Sequence, residues 1–228
     1  MKQTYILHEH HPRLLLFFAG WGADATPFKE YHPEDSDFML CYDYRTLNFD
    51  TSLLAEYQEI NVIGWSMGVW AASQVVPQLP INVVHSIAIN GTPFPIDDNR
   101  GIPLSIFRGT LDGLTGASLN KFLRRMCADG AAFKAFLQIT PRRPLEELRE
   151  ELEEIEKSYN RQMMDDERMS TSAFHWQQAI VGSNDRIIPP DNQLQAWTEL
   201  GTPVQQTDDA HYQDSLFRHY LQDLWTND

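Results

Sequence analysis

The chain of 228 residues is 42% hydrophobic and 22% charged, and its formal net charge is −14. This length suffices for one sizeable core and is too short for two typical enzyme domains, so a single domain is expected. The acidic balance argues against a nucleic-acid partner, because attraction to phosphates needs a positive surface. The longest apolar run, Leu14 to Ala19, is too short to cross a membrane, so no membrane partner is expected either.

The segment from Met1 to Leu16 contains His, Glu, Pro and Arg where a secretory signal would need a continuous apolar core. A cytoplasmic location is therefore expected. Cys41 and Cys127 are too few for a disulfide framework, and we expect two reduced, buried thiols.

Short apolar runs alternate with helical patterns along much of the chain. The runs predicted as strands are Leu14 to Phe18, Phe38 to Tyr42, Asn61 to Gly64, Val83 to Ile89, Ala179 to Val181 and Val204 to Gln206. Nearly continuous runs of this length are typical of a parallel sheet covered by helices on both faces. The patterns predicted as helices are Met67 to Leu79, Pro189 to Leu200 and Tyr212 to Trp225.

The polar segment from His8 to His11 resembles a metal-binding cluster. It lies between two strand-like runs and ahead of Pro12, and a hairpin turn is the favoured interpretation. No metal ion or organic cofactor is expected.

The sequence Gly64-Trp-Ser-Met-Gly68 directly follows an apolar run. A strand that turns abruptly into a helix crowds its turn residue, so the flanking positions need glycine, and Ser66 is left pointing outward. In an α/β hydrolase this turn holds the nucleophile above the sheet and places the next amide, here that of Met67, where an oxyanion forms. The alternative interpretation is a tight connection without chemistry.

A second oxyanion donor is expected from the loop after an early strand. The strand Leu14 to Phe18 leads into Ala19, Gly20, Trp21 and Gly22, and the amide of Trp21 is the candidate donor. Gly20 would allow close backbone approach, and the indoles of Trp21 and Trp65 would wall an acyl pocket. A simple glycine turn is the alternative.

No clear strand is predicted between Asp97 and Phe174, where helical periodicity covers Leu119 to Phe136 and Leu145 to Tyr159. This is the place where α/β hydrolases insert a helical cap, so residues 97–174 are predicted to form one. From Arg100 to Arg143 there are eight basic and two acidic residues, a net charge of +6. Seven glutamates follow between Glu146 and Glu156 and predict a solvated helix face.

A serine nucleophile needs a histidine to take its proton and a carboxylate to orient that histidine, and hydrolases supply them in the chain order serine, acid, histidine. Asp185 and His211 each lie on a loop after a predicted strand and complete that order with Ser66. Asp185 as a mere cap of the following helix is the alternative for the acid. The competing base is His219, which is predicted inside a helix. The competing acids are Asp208 and Asp209, which lie too close to His211 in the sequence to approach the far nitrogen of its ring easily.

Several segments together resemble the BioG-type pimeloyl-carrier-protein methyl ester esterases of biotin synthesis. The matching segments are Phe18-Ala-Gly-Trp-Gly22, Cys41-Tyr-Asp-Tyr44, Gly64-Trp-Ser-Met-Gly-Val-Trp70, Asn90-Gly-Thr92, Gly101-Ile-Pro103 and Phe107-Arg-Gly-Thr-Leu111. The resemblance implies removal of the methyl group from a pimeloyl ester carried on acyl carrier protein. It also implies Ser66 as nucleophile, Asp185 as orienting acid and His211 as base. Ala19 departs from the histidine that hydrolases often have before the oxyanion glycine.

Acyl carrier proteins are strongly acidic, so a cap with a positive face would attract one. Arg124, Arg125, Arg142 and Arg143 are the predicted docking residues. The alternative is that these arginines pair with Glu146 to Glu156 and only solubilise the cap. A thioesterase, a generic short-chain carboxylesterase and a noncatalytic binding module with this fold remain the alternative functions.

Overall fold

The computed structural model describes residues 1–164 and 174–223. The strands in these ranges form one seven-stranded sheet in the order β1-β3-β2-β4-β5-β6-β7. β1 pairs antiparallel with β3, and every other neighbouring pair of strands is parallel. The strands are β1 (Lys2–Leu7), β2 (Arg13–Phe18), β3 (Asp37–Tyr42), β4 (Glu59–Trp65), β5 (Val83–Ile89), β6 (Gln178–Gly182) and β7 (Val204–Thr207). The predicted α/β class with a mostly parallel sheet is confirmed.

The apolar runs form the centre of the sheet because both of its faces are covered. Every residue of β2 from Leu14 to Phe18 is fully buried, although successive side chains of a strand point to opposite faces. Such a strand cannot show polar alternation, which is why the sequence presents nearly continuous apolar runs. The six predicted strands are each found within one or two residues of their expected ends.

Seven α-helices are described. They are α1 (Met67–Val75), α2 (Leu104–Asp112), α3 (Gly116–Met126), α4 (Gly130–Phe136), α5 (Leu145–Met164), α6 (Pro190–Leu200) and α7 (Asp214–Leu221). Short 3-10 helices cover Thr26–Phe28, Thr51–Leu54 and Val76–Gln78. Across the described ranges, every helix is too short or too polar to traverse a bilayer.

The segment between β5 and β6 contains α2 to α5. The pattern predicted as one helical segment, Leu119 to Phe136, is divided into α3 and α4 because Asp129 begins a new helix, its side chain accepting the N–H groups of Ala131 and Ala132 at 2.8 Å. Residues 165–173 of the predicted cap and residues 224–228, including the predicted helix end at Trp225, lie outside the described residues.

The hairpin predicted around His8 to His11 is wrong. β3 lies between β1 and β2, so the turn joins two strands that are not neighbours in the sheet. β1 instead pairs with β3, and that pairing cannot be read from local sequence. Cys41 and Cys127 are both free and buried, as predicted.

The acidic face predicted for α5 is only partly solvated. Glu151 is 0% exposed and Glu156 is 7% exposed, against the expectation that all seven glutamates face water. Each has a cationic partner at 2.7 Å, Arg143 for Glu151 and Arg108 for Glu156. Buried carboxylates persist where such pairing offsets the loss of hydration.

Candidate active site

Ser66 occupies the sharp bend between β4 and α1. Its backbone has φ of 56° and ψ of −126°, an unusual conformation for a residue with a side chain, and its N–H donates to the carbonyl of Ile89 at 3.0 Å. A conformation of this kind costs roughly 1–3 kcal/mol and persists only where the surroundings enforce it. The bend matches the strained turn predicted from the sequence around Ser66.

Two glycines make this bend possible. A Cβ added at Gly68 would lie 2.0 Å from the carbonyl oxygen of Phe18, and one added at Gly64 would lie 2.8 Å from the ring of Trp176. Both distances are far below a normal contact, so neither position accepts a larger residue without movement of its neighbours. The glycine spacing is therefore a packing requirement of the turn.

His211 and Asp185 are in direct contact although they lie on separate loops. The Nδ1 atom of His211 is 2.8 Å from Oδ2 of Asp185, and the two side chains are 1% and 0% exposed. The other carboxylate oxygen, Oδ1, accepts the N–H groups of Ile187 and Ile188. Gln193 on α6 donates to Oδ2 at 2.9 Å, so the carboxylate is held on both oxygens.

The capping interpretation of Asp185 is true only in part. Its side chain satisfies two loop amides, while the residue at the start of α6 is Pro189, which has no side-chain cap. The same carboxylate still faces His211. Local capping and contact with the imidazole are therefore compatible.

The competing residues lie elsewhere. His219 is on α7 and is exposed, with its ring against Tyr220. Asp208 is exposed, and one of its oxygens accepts from Ser183 at 3.3 Å. Asp209 is half-buried, and its backbone carbonyl accepts the N–H of Asn184 at 3.1 Å. The structure thus pairs His211 with Asp185 rather than with either competing aspartate.

Asn90 fixes the loop that carries His211, a role that the sequence did not indicate. Its Nδ2 donates to the carbonyls of Ala210 and His211 at 3.0 and 3.1 Å, and its Oδ1 accepts the N–H of Gly182 at 2.8 Å. The indole of Trp65 also donates to the His211 carbonyl, at 2.9 Å. The only available signal was the position of Asn90 directly after β5, where residues of an open parallel sheet gather at its ligand-binding edge.

Ser66 and His211 line one cleft together with Gly20, Trp21 and Met67. A Cβ added at Gly20 would lie 3.2 Å from Cβ of Ser66, so the loop after β2 comes directly against the serine. Among the described residues, no group accepts a hydrogen bond from the amide of Trp21 or of Met67. Both amides therefore remain available to a ligand.

The cleft adjoins a second apolar space. Trp21, Trp65, Phe122 and Met126 line both spaces. The two tryptophans are therefore exposed to the cleft, and their contact with an acyl group stays a prediction. Most of the remaining lining of the second space comes from α3 to α5 and the loops between them.

The four predicted docking arginines do not share one environment. Arg124, Arg125 and Arg142 are exposed, and Arg125 lines the cleft. The side chain of Arg143 is only 5% exposed and is ion-paired with Asp43 and Glu151 at 3.0 and 2.7 Å. Arg143 is therefore unsuited to docking, and for this residue the alternative of internal pairing is correct.

Arg186 is a cleft residue that the sequence interpretation missed. It is exposed and lines the same cleft as Ser66 and Arg125. Neither arginine has a carboxylate within ion-pairing distance in the described ranges, although the chain is strongly acidic overall. Its position beside Asp185 was the available signal.

One group of side chains among the described residues has the composition and spacing of a metal site. His8, His10 and Glu56 are exposed, and their potential ligand atoms lie within 4.8 Å of one another. The group lies beside the amino ends of the parallel strands, because β1 runs opposite to β3 and Leu7 pairs with Phe38. Ser66 follows the carboxyl end of β4, so this group is not part of the cleft.

Comparison with solved structures identifies the fold. The crystal structure of BioG from Haemophilus influenzae superposes with a TM-score of 0.82 at 38% identity, covering 96% of this chain and 98% of that one. A lipase-esterase related protein from Clostridium acetobutylicum superposes with a TM-score of 0.61 at 14% identity, covering 91% and 90% of the two chains, a likeness of fold alone. The predicted α/β-hydrolase fold is confirmed by these neighbours.

Sequence relatives agree with the structural match. A protein of Bacteroides fragilis named malonyl-[acyl-carrier protein] O-methyltransferase is 53% identical over 207 residues, which are 91% of this chain and 41% of that protein. The chain thus spans about two fifths of the length of this relative. The family model described as pimeloyl-ACP methyl esterase BioG matches residues 1–222. Because that match takes in nearly the whole chain, the protein belongs to the BioG family.

Proposed function

We propose that this protein is a serine carboxylesterase in which Ser66, His211 and Asp185 act as a catalytic triad. The observation that carries the proposal is the contact of the buried His211–Asp185 pair beside a cleft that Ser66 also lines. Asp185 holds the imidazole in the tautomer with a proton on Nδ1, which leaves Nε2 free to take a proton from the serine hydroxyl. The strained bend presents that hydroxyl at the cleft.

The reaction follows from this arrangement. The Oγ atom of Ser66 attacks the ester carbonyl while His211 takes its proton, and the negative oxygen that develops is bound by the amides of Trp21 and Met67. His211 then gives the proton to the departing alkoxide, which leaves as the alcohol. Water, deprotonated by the same imidazole, attacks the acyl enzyme and releases the acid, and the proton returns to Ser66.

The substrate proposed is the methyl ester of a pimeloyl group on acyl carrier protein. Support comes from the family description and from a cleft that is apolar near Ser66 and carries Arg125 and Arg186. In this proposal methanol departs and the distal carboxylate is freed. The helices of residues 97–174 would act as a cap, since Ile102, Phe107 and Phe122 contribute lining to the cleft.

Carrier docking is proposed for Arg124, Arg125 and Arg142. These exposed cations lie in the basic part of an otherwise acidic chain, where they would attract an acidic partner. Arg143 is left out of this set because its guanidinium is buried against carboxylates.

Hydrolysis is proposed for this chain rather than methyl transfer, although one relative is named a methyltransferase. The chain corresponds to 41% of that protein, so the name describes a longer molecule. A serine on a strained bend beside a buried His–Asp pair is suited to acyl transfer.

The decisive experiment compares three substrates by mass spectrometry: methyl pimeloyl carrier protein, free methyl pimelate and a simple acyl thioester. Loss of the methyl group from the carrier-bound ester, with slower turnover of the other two, is expected for the wild type and not for Ser66→Ala. Preferred cleavage of the thioester would replace the proposal with a thioesterase. A fluorophosphonate probe that fails to label wild-type Ser66 would favour the noncatalytic binding module.

A further inference from the structure

Glu151 is a wholly buried carboxylate on α5 that binds three separate parts of the chain. Its Oε1 accepts the N–H of Tyr44 at 2.9 Å. Its Oε2 accepts from Nη1 of Arg143 at 2.7 Å and, at the longer distance of 3.4 Å, from the N–H of Gly22. The loop after β2, the loop after β3 and the loop between α4 and α5 thus meet at one side chain.

These contacts enclose the proposed oxyanion donor, the amide of Trp21. Gly22 follows Trp21 directly, and its N–H points to Glu151. Tyr44, whose backbone Glu151 holds, donates its hydroxyl to the carbonyl of Ala19 at 2.7 Å. The loop is therefore held on both sides of the Gly20–Trp21 peptide, once directly and once through Tyr44.

The same helix also holds the side chain of Trp21. Its indole donates to the carbonyl of Leu148 at 2.9 Å, one turn before Glu151. Leu148, Glu151, Leu152 and Ile155 recur at helical spacing and are all buried. A glutamate on this apolar stripe loses the hydration that its carboxyl group would keep at an exposed position.

A buried ion pair of this kind gives little net stability, because desolvation offsets the attraction, and apolar residues often serve equally well. Charged acceptors do, however, make shorter and more directional hydrogen bonds to N–H groups than neutral ones. Here the hydrogen bonds to Glu151 fix the positions of the backbone N–H groups of Tyr44 and Gly22. Burial raises the pKa of the Glu151 carboxyl above its ordinary value, and the Arg143 guanidinium at 2.7 Å acts in the opposite direction.

We propose that Glu151 is a positioning residue for ester hydrolysis, which fixes the loop of Gly20 to Gly22 so that the Trp21 amide meets the developing oxyanion. This inference rests on the proposed serine-esterase function. The arrangement makes the helical insertion part of the catalytic apparatus as well as a cover over the cleft.

The test compares Glu151→Gln with Glu156→Gln. Glu156 is on the same helix, is also buried and pairs with Arg108 at 2.7 Å, so both variants replace one buried carboxyl group that has an arginine partner. Glu156 has no described contact with the loop after β2. We expect Glu151→Gln to lower kcat for a small methyl ester roughly 10–100-fold with KM changed less than about threefold, because a misplaced donor weakens binding of the transition state. Glu156→Gln should stay within about twofold of the wild type.

Two further readouts separate positioning from stability. The rate of fluorophosphonate labelling of Ser66 and the affinity for a trifluoromethyl ketone analogue should fall in parallel with kcat in Glu151→Gln. If that variant unfolds at the assay temperature, Tyr44→Phe provides the second test, since it removes the hydroxyl contacts with the carbonyls of Ala19 and Cys41 and leaves the backbone contact of Tyr44 with Glu151 in place. A smaller fall in kcat is expected for it, with a melting temperature that is lowered but stays above the assay temperature.

Equal labelling rates and equal kcat values in Glu151→Gln and Glu156→Gln would overturn the inference, as would an effect confined to KM. No effect of Tyr44→Phe on kcat would also contradict it where Glu151→Gln cannot be assayed. Failure of the proposed function gives a different result, because the wild-type Ser66 itself would then remain unlabelled.

Discussion

Asp185 and His211 are 26 residues apart in the chain, yet Oδ2 of one lies 2.8 Å from Nδ1 of the other in a site closed to solvent. Each follows a neighbouring parallel strand, β6 or β7, at the same edge of the sheet. The geometry makes the carboxylate the natural partner of the imidazole and gives the site its first testable consequence.

Replacing Asp185 with asparagine should lower kcat by about 10³–10⁴-fold, because an amide nitrogen toward the ring favours the wrong imidazole tautomer. The loop should still fold, since the Oδ1 contacts with Ile187 and Ile188 can remain. Ester turnover and thermal melting, measured together, check this. Activity within tenfold of the wild type would remove Asp185 from the proposed triad.

Asn90→Asp should damage both stability and activity. The change turns the Nδ2 donor into an oxygen facing the carbonyls of Ala210 and His211. The His211 carbonyl keeps the indole of Trp65 as a donor, whereas the Ala210 carbonyl is left without a described donor. A buried acceptor without a donor costs about 1–3 kcal/mol, so the free energy of unfolding in urea should fall by at least that amount. The control is Asn192→Asp, which alters a more exposed pair of hydrogen bonds to Asp98 and Gly101. An equally small effect of both changes would contradict the role of Asn90.

Gly68→Ala and Gly109→Ala should have opposite effects on stability. The new Cβ at Gly68 would lie 2.0 Å from a backbone oxygen, so we expect a loss of at least about 3 kcal/mol or failure to fold. At Gly109, within α2, no atom lies within 4 Å, and alanine should stabilise by about 0.5–1 kcal/mol. Thermal and urea unfolding provide the measurement. Equal stabilisation in both variants would show that helix propensity, rather than contact at the bend, governs the first position.

Asp43→Asn should change how the free energy of unfolding depends on pH in the acid range. Burial tends to raise the pKa of Asp43, but Arg45, Arg143 and Lys2 outweigh it and hold that pKa well below its ordinary value of about 4. The ionised form thus stabilises the fold above pH ~4, and this contribution is lost as the pH falls toward the lowered pKa of the folded state. Asparagine tolerates the positive φ of 63° at this position.

The difference in the free energy of unfolding between wild type and Asp43→Asn should accordingly be about 1.5–3 kcal/mol at pH 6 and shrink below pH 4. Urea titrations from pH 2 to pH 7 measure it. Asp112→Asn, at an exposed position without an ion pair among the described residues, serves as control. A difference that stays constant with pH would rule out the ionic contribution.

Arg124→Glu should raise KM for carrier-bound methyl pimelate roughly tenfold and leave turnover of free methyl pimelate unchanged, because only the carrier presents an extended acidic surface. Arg124 is exposed and does not line the cleft. Arg13→Glu carries the same charge change at the opposite edge of the sheet, where Arg13 pairs with Glu59. It should affect neither substrate. Equal effects of the two reversals, or equal effects on both substrates, would defeat the docking proposal.

Local features of the sequence sufficed for the serine bend and the strands. Gly64 and Gly68 fit the local pattern of a sharp strand-to-helix bend, although the atoms that exclude a Cβ there belong to the distant residues Trp176 and Phe18. The buried strands consist of continuous apolar runs. Ser66, Asp185 and His211 were each predicted to follow a strand. Parallel strands bring their carboxyl ends to one edge of the sheet, so the three residues were expected to lie near one another. The contact of His211 with Asp185 agrees with that expectation.

The exposure and pairing of charged side chains were predicted least well from the sequence. Arg143 reads as a surface cation and Glu151 as part of a solvated face, yet each is buried against the other at 2.7 Å. The position of Glu151 on the stripe of Leu148, Leu152 and Ile155 was a usable signal, since a charge on an apolar stripe requires a partner.

The sequence by itself thus determined most of the strands and the sharp bend at Ser66, because backbone sterics and apolar periodicity act over a few residues. Only the tertiary structure decided that β1 pairs with β3, that Asn90 carries the His211 loop and that Glu151 reaches the loop after β2. Those contacts join residues up to 129 positions apart. Their formation depends on how the whole sheet and the helical insertion pack together, and no local pattern of residues encodes that packing.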